Sequence, residues 1–578
     1  MIPTIRHSKA PVRNFRKPSG MTLCVVLMAL QLQTTANQRV IQTETLLSNL
    51  RYEIELKLDY RNAAFTGIET VRFTNSGRED LDHLSFHLYP NVGLTDEDET
   101  WLSIRRVTAN GRELRPTLRA RQTIVRVELP AKLAIGQSLE LKLEFTGRVP
   151  QVQREEASLL AHFLQEVNDA VNEERPTRDA RDIFFAGEES MLLGYFYPIL
   201  ATRPSQLSDQ SLVAGASGIA VSEAATYEVN ITVAEGLTVI GSAPLLETTP
   251  VSGENDKRIS YLFKGSNLRG FGLAIAERLK SAEQQVDSTR VVSYFREGDD
   301  RLGKRALEIS VRALETYTQA FGAYPYPLLQ VLEMPLPAGH SSSELSSLII
   351  LAQAYFIDFD SPKSSRLPSF LREQADVIKT SFEFSLAHGV ARQWWGVAVG
   401  SDSERFPYLD EALSSYSAAY YHEAIYGKGL GDIILKQQLH GTYQAYRMLG
   451  GADMEVDKPA REFRNGLQYT AIVQAKGAIL FSMLRRELGD KKFFDVLKNY
   501  FSANRFRFTT PDQLRASFAT AAEDQRNVRA LFQRWLKEKH GDEDIGAPDL
   551  TLVSPSVSKI RALGRVFVKI GKTAAKPF

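Results

Sequence analysis

The chain has 578 residues, 43% of them hydrophobic and 24% charged, with a formal net charge of +1. That length supports two or three domains with real cores, and a charge so close to zero gives no reason to expect a nucleic-acid partner. Basic residues gather only at the ends, Arg6 to Lys17 and Lys559 to Lys576, where such charges solvate a tail.

The first 36 residues read as a targeting segment. A basic stretch precedes the apolar run Met21–Leu30, and Thr34-Thr35-Ala36 supplies the small residues a signal peptidase needs. The run is short for a membrane span, so a cleaved signal ranks ahead of an uncleaved anchor through residues 21–32. Either reading implies an exported protein, periplasmic or extracellular, with membrane contact only through this segment. The single cysteine, Cys24, lies near the start of the run rather than at its end, which argues against a lipid-modified cysteine. Cleavage would leave a mature chain without a thiol, which excludes disulfides.

Period-two alternation dominates from about residue 48 to 145: Tyr52, Ile54, Leu56 and Leu58, then Leu84, Phe86 and Leu88, Val125, Val127 and Leu129, and Leu139, Leu141, Leu143 and Phe145. One-sided alternation predicts antiparallel sheets with a solvated face. Residues 150–182 break the rhythm with helical spacing at Leu159, Leu160, Phe163, Leu164 and Val167, which fits either a lid-like insertion or a surface helix. Strands resume at Leu193–Pro198 and Tyr227–Val233, and the β-domain is expected to end near 285. Helical spacing takes over at Leu307, Val311, Leu314 and Phe321, closed by Gly322-Ala-Tyr-Pro-Tyr-Pro327. Thr510-Pro511-Asp512-Gln513 predicts a capping box with proline at the first helical position. After Gly541 a linker leads to a tail in which 552–568 is expected to form a strand or two.

The stretch that carries chemistry is His388-Gly389-Val390-Ala391-Arg392-Gln393-Trp394-Trp395-Gly396, followed by Leu409-Asp410-Glu411-Ala412-Leu413-Ser414-Ser415-Tyr416. It resembles the membrane alanine aminopeptidase family of zinc metallopeptidases (gluzincins). There a His-Glu-x-x-His helix continues Gln-Trp-Trp-Gly, and the third ligand lies in a Leu-Asn-Glu-Gly-Phe-Ala-Ser-Tyr run. The family leaves eighteen residues between the second His and that Glu, and the same interval separates Arg392 from Glu411.

The resemblance covers roughly residues 48–540 and implies a multi-domain α+β fold. An N-terminal antiparallel β-sandwich-like domain (45–285, with 150–182 inserted) precedes a mostly helical thermolysin-like domain (286–541), and 542–578 is linker and tail. Glu344 falls where the family grips the free amino end of a peptide. The bland alternative for it, in the serine-rich run 341–347, is a solvated loop acid. His388 and Glu411 are the remnant metal ligands. Gly389 stands at the general-base position, Arg392 at the second histidine, and Gln474, in Gln-Ala-Lys-Gly, at the oxyanion tyrosine.

A guanidinium stays protonated and offers only donors, so Arg392 cannot bind a dication, and Gly389 has no side chain to activate water. Three separate roles are thus lost. The chain is expected to be a catalytically inactive pseudopeptidase that takes no cofactor and holds a peptide or protein ligand in the old cleft. Positions 388 and 392 share a helix face, so Arg392 is also expected to reach Glu411 in place of the metal. The alternative is an active metallopeptidase whose zinc site is rebuilt from His340, His388 and Glu411, against the plainer reading of His340 as a loop histidine.

Overall fold

Alternation along the chain builds the first half. The computed structural model describes residues 47–546 apart from 96, 172–179, 188, 202–220 and 252–256. The expected targeting segment 1–36, its apolar run 21–32 and the expected strands in 552–568 lie outside the described residues. An eight-stranded sheet runs Leu245–Val251, Arg258–Leu268, Ala225–Ala234, Leu47–Asp59, Ala64–Asn75, Ser138–Arg148, Leu102–Ala109 and Arg112–Leu114, in that spatial order. Tyr52, Ile54, Leu56 and Leu58 all point inward and are buried, as period two requires.

One pairing departs from the antiparallel expectation. Leu47–Asp59 lies parallel to Ala225–Ala234, in a register that sets Tyr52 beside Tyr227. Their rings stack 4.9 Å apart, and Tyr197 donates its hydroxyl hydrogen to the Tyr227 oxygen at 2.9 Å. Parallel strands need a long crossover, and alternation alone cannot tell which distant strand fills that slot. Two four-stranded sheets complete the β-rich half, one around Leu81–His87 and Ile124–Leu133, the other around Ser190–Gly194 and Gly272–Ala276.

The second half is built on a five-stranded sheet ordered Leu279–Val286, Thr289–Arg296, Leu328–Met334, Leu348–Ala352 and Ser342–Leu345. The boundary expected at 285 falls inside the first of these strands. That strand forms a hairpin with Thr289–Arg296, which in turn pairs in parallel with Leu328–Met334. A hairpin with one exposed strand looks in sequence like more β-domain, and its sheet partner lies beyond a 22-residue helix, Asp300–Phe321. Helices follow: Ala375–Arg392, Glu411–Tyr426, Gly477–Leu488, Asp490–Asn504 and Pro511–Ala521 among them. The last carries the expected capping box between Thr510 and Gln513. The insertion is helical over Leu159–Val171. Among the described residues no helix is long and apolar enough to cross a membrane.

The central strand Leu328–Met334 holds a buried carboxyl group, Glu333, 2% exposed, which accepts from the Arg296 backbone N–H at 3.0 Å. Burial, followed by the neighbouring Asp299, pushes it up to about 8. A raised carboxyl stabilises the fold fully below its ordinary range and loses that contribution as pH rises through about 8. Glu333→Gln does not titrate and keeps an acceptor for Arg296. The variant is expected to gain on the parent by about 3 kcal/mol between pH 5 and pH 8, read as a widening melting-temperature gap. A gap independent of pH would assign the ionisation elsewhere.

Candidate functional site

Two helices and an edge strand bring the sequence-predicted residues together. His388 and Arg392 lie one turn apart on Ala375–Arg392, and Glu411 opens the helix Glu411–Tyr426. Asp410 caps that helix, its side chain accepting from the Glu411 N–H at 2.9 Å. Tyr317 fastens the two helices by pointing its hydroxyl at the carbonyls of Ala387 and Ser417, 3.0 Å from each. The Gln-Trp-Trp tripeptide explains itself locally. Gln393 accepts from the Ser347 N–H at 2.8 Å and donates to the Leu345 carbonyl at 3.1 Å, which fixes the edge strand. Trp394 donates to the Gly322 carbonyl at 3.0 Å and Trp395 to the Ser417 hydroxyl at 3.2 Å.

Arg392 is fully buried and sits among three carboxyl groups. Its Nη1 is 3.0 Å from Asp410 Oδ2, its Nη2 3.4 Å from Glu411 Oε1 and its Nε 3.8 Å from Glu344 Oε2. These are ion-pair contacts rather than aligned hydrogen bonds. Glu411 also takes a hydrogen bond from Gln474 Nε2 at 3.0 Å and lies 3.5 Å from His388 Nε2. Ser403 donates to Asp410 at 2.6 Å and Ser342 to Glu344 at 2.7 Å.

The electrostatics follow from burial against charge. Burial raises the Glu411 carboxyl, but Arg392, then His388 and Gln474, outweigh it and hold the group down to about 2. Burial prevails at Glu344 and lifts it above the usual carboxylate range, against the pull of His388, Arg392 and Ser342. Arg392 itself is lowered by burial and raised more by Glu411, Asp410 and Glu344, so it stays a cation.

Glu344 is therefore not a solvated loop acid: it is 6% exposed, on the strand Ser342–Leu345. The base position is closed as well as empty. A Cβ on Gly389 would meet Ile349 Cγ2 at 2.8 Å and Glu344 Oε1 at 3.2 Å. Tyr469 is buried, edge-on to Phe463 at 5.5 Å, and lies within electrostatic reach of Arg392. Gln474 occupies a π-helical stretch, Thr470–Lys476, a deviation that clusters at functional sites. Lys476 of the same tetrapeptide is a buried strut, donating to Asp453 at 2.7 Å and to the Met454 and Glu538 carbonyls.

Among the described residues no three His, Cys, Asp or Glu side chains converge as a metal cage, so His340, His388 and Glu411 are not brought together. The donor set does not fit zinc. His388 meets one oxygen of Glu411 directly, and the other oxygen faces a permanent cation, Arg392.

Residues 305–535 match the model described as the peptidase family M1 domain. This chain carries an M1 peptidase domain. Over 247 residues it is 28% identical to aminopeptidase N of Lactococcus lactis subsp. lactis, covering 40% of this chain and 26% of that one. Over 196 residues it is 26% identical to aminopeptidase N of Acetobacter pasteurianus, covering 33% and 51%. The chain thus spans only about a quarter to a half of these relatives. The fold is that of the M1 zinc metallopeptidase from Deinococcus radiodurans, with a TM-score of 0.56 at 17% identity over 85% of this chain and 94% of that one.

Sequence reasoning did not single out Asp410, the carboxylate nearest Arg392, nor the hydroxyls of Ser342 and Ser403. The signal for Asp410 was present. The aminopeptidase family writes Leu-Asn-Glu where the M1 domain of this chain has Leu409-Asp410-Glu411, so a negative charge arrives beside the position where a positive one has been added.

Proposed function

We propose that this protein is a non-hydrolytic member of the M1 aminopeptidase family that holds the free amino end of a peptide or protein chain in its cleft. The observation that carries the reading is the Arg392 guanidinium seated among Asp410, Glu411 and Glu344. An arginine there supplies the charge that otherwise compensates Glu411, so no resident metal is needed to stabilise the site. With Gly389 closed off by Ile349, no side chain stands ready to activate water.

Three carboxyl groups face one guanidinium, a surplus of acceptors that an incoming ammonium group would complement. Glu344 is the residue assigned to that ammonium. The role is peptide recognition rather than nucleic-acid binding, in keeping with a net charge of +1. Export through the N-terminal segment completes the proposal.

The test is binding without turnover. Trialanine is expected to bind the purified protein, N-acetyl-trialanine to bind at least about tenfold more weakly, and Glu344→Gln to lose that preference. Aminoacyl p-nitroanilides are expected to stay uncleaved with or without added zinc. Zinc-dependent cleavage by the unmodified chain would refute the reading.

A further inference from the structure

The helix Leu159–Val171 packs largely outside the main hydrophobic core. Its buried residues Leu159 and Phe163 form a small core of their own with Ala354 and Ile378, separate from the large core. Near its start, the Glu156 carbonyl accepts from the Ala338 N–H at 3.0 Å. One turn into the helix, His162 lies 3.3 Å from the Leu336 carbonyl and edge-on to Tyr355 at 5.6 Å. A carbonyl only accepts, so Nε2 carries the hydrogen. Burial drops this imidazole to about 4. A Cβ on Gly339 would touch the Gln165 side chain at 3.4 Å.

The far end of the same helix grips a different wall. Asn465 donates from its side chain to the Asp169 carbonyl at 2.5 Å, and a Cβ on Gly466 would lie 3.2 Å from the Asp169 carboxylate. Asn465 is the cap of the helical stretch Gly466–Tyr469 that runs on into the π-helical turn with Gln474. Residues 336–339 lead directly into the edge strand with Glu344. The helix therefore fastens the segment before Glu344 to the segment before Gln474, and Glu344 and Gln474 reach toward Arg392 and Glu411 from the two sides.

We propose that Leu159–Val171 is a strap across the cleft that sets the length of the ligand. Short peptides enter beneath it, whereas long chains require it to lift from Gly466. The inference rests on the peptide-holding reading above and specifies the size class that the site takes. A long, rotamer-rich chain cannot thread a closed passage without either undocking the helix or giving up its contacts, whereas a dipeptide meets no such barrier.

The strap can be locked and loosened. Asp169→Cys with Gly466→Cys, made in a Cys24→Ser chain, places two thiols across the seam. Phe163→Ala empties the small core. With dialanine and a free-amino alanine–serine dodecapeptide as probes, the oxidised lock is expected to leave dialanine binding unchanged and to weaken the dodecapeptide at least about tenfold, with recovery on reduction. Phe163→Ala is expected to tighten the dodecapeptide alone. Equal dodecapeptide affinity in locked and reduced protein overturns the strap while leaving peptide binding intact.

If neither peptide binds any form, the peptide-holding reading fails, and the strap is judged separately by thiol access. A cysteine introduced by Ser342→Cys in the Cys24→Ser chain is expected to react with a bulky maleimide about tenfold faster when Phe163→Ala is added, with no change for a small methanethiosulfonate. Equal maleimide rates overturn the strap.

Discussion

Replacing Arg392 by methionine is expected to lower stability by about 3–5 kcal/mol, because it leaves Asp410 and Glu411 buried without a counter-charge. Methionine keeps most of the side-chain bulk, so the loss reads charge rather than cavity. The pH dependence separates this from a packing defect. The Glu411 carboxyl is held at about 2 in the parent, so its contribution is present above the ordinary carboxylate range and fades as pH falls toward about 2. Without Arg392 that depression loses its largest cause and only His388 and Gln474 oppose burial, so the carboxyls rise, and the deficit between variant and parent is expected to narrow steadily on acidification. Urea unfolding from pH 7 to pH 4 measures it. Adding Asp410→Asn and Glu411→Gln to Arg392→Met is expected to restore most of the loss at pH 7. A triple variant as unstable as the single one would assign the effect to packing.

Rebuilding the family site is expected to create a zinc centre. The set is Gly389→Glu, Arg392→His, Asp410→Asn and Gln474→Tyr. Asp410→Asn belongs in it because Arg392 is the cation nearest that buried carboxylate, at 3.0 Å, and removing the arginine alone would strand it. His388, the imidazole introduced at 392 and Glu411 would supply three ligands with a fourth position open to water, the arrangement of a catalytic zinc site. Gly389→Glu must push Ile349 Cγ2 aside, a strain of about 1–3 kcal/mol that the rest of the core has to carry. Metal analysis is expected to give about one zinc per rebuilt chain and none in the parent, with cleavage of aminoacyl chromogenic substrates following the metal. Stoichiometric zinc in the parent would sink the proposed function outright.

The order of the two halves was legible because inward-facing residues every second position, as at Tyr52 to Leu58, and every third or fourth, as at Leu307 to Phe321, leave different signatures. The spacing of Arg392 and Glu411 carried the site for the same reason, since two residues separated by a fixed run of chain return to one another if the helices are kept. What sequence alone could not deliver were contacts between distant segments. The parallel pairing of Leu47–Asp59 with Ala225–Ala234, the hairpin at 279–296 that joins the second sheet, and the press of Ile349 on Gly389 all depend on which element folds against which. Glu344 illustrates the limit. A serine-rich context reads as solvent, yet strand pairing with Leu348–Ala352 and the helix behind it bury the carboxyl.

The hydrogen bonds of Gln393, Trp394 and Trp395 go to the edge strand, to the end of the Asp300–Phe321 helix and to the Glu411 helix, and none goes to a metal position. The tripeptide therefore braces the elements that carry Glu344 and Glu411. None of these bonds involves residue 389, 392 or 474, so changes at those positions leave the bracing intact. A hallmark such as Gln-Trp-Trp-Gly thus testifies to architecture and is silent about turnover.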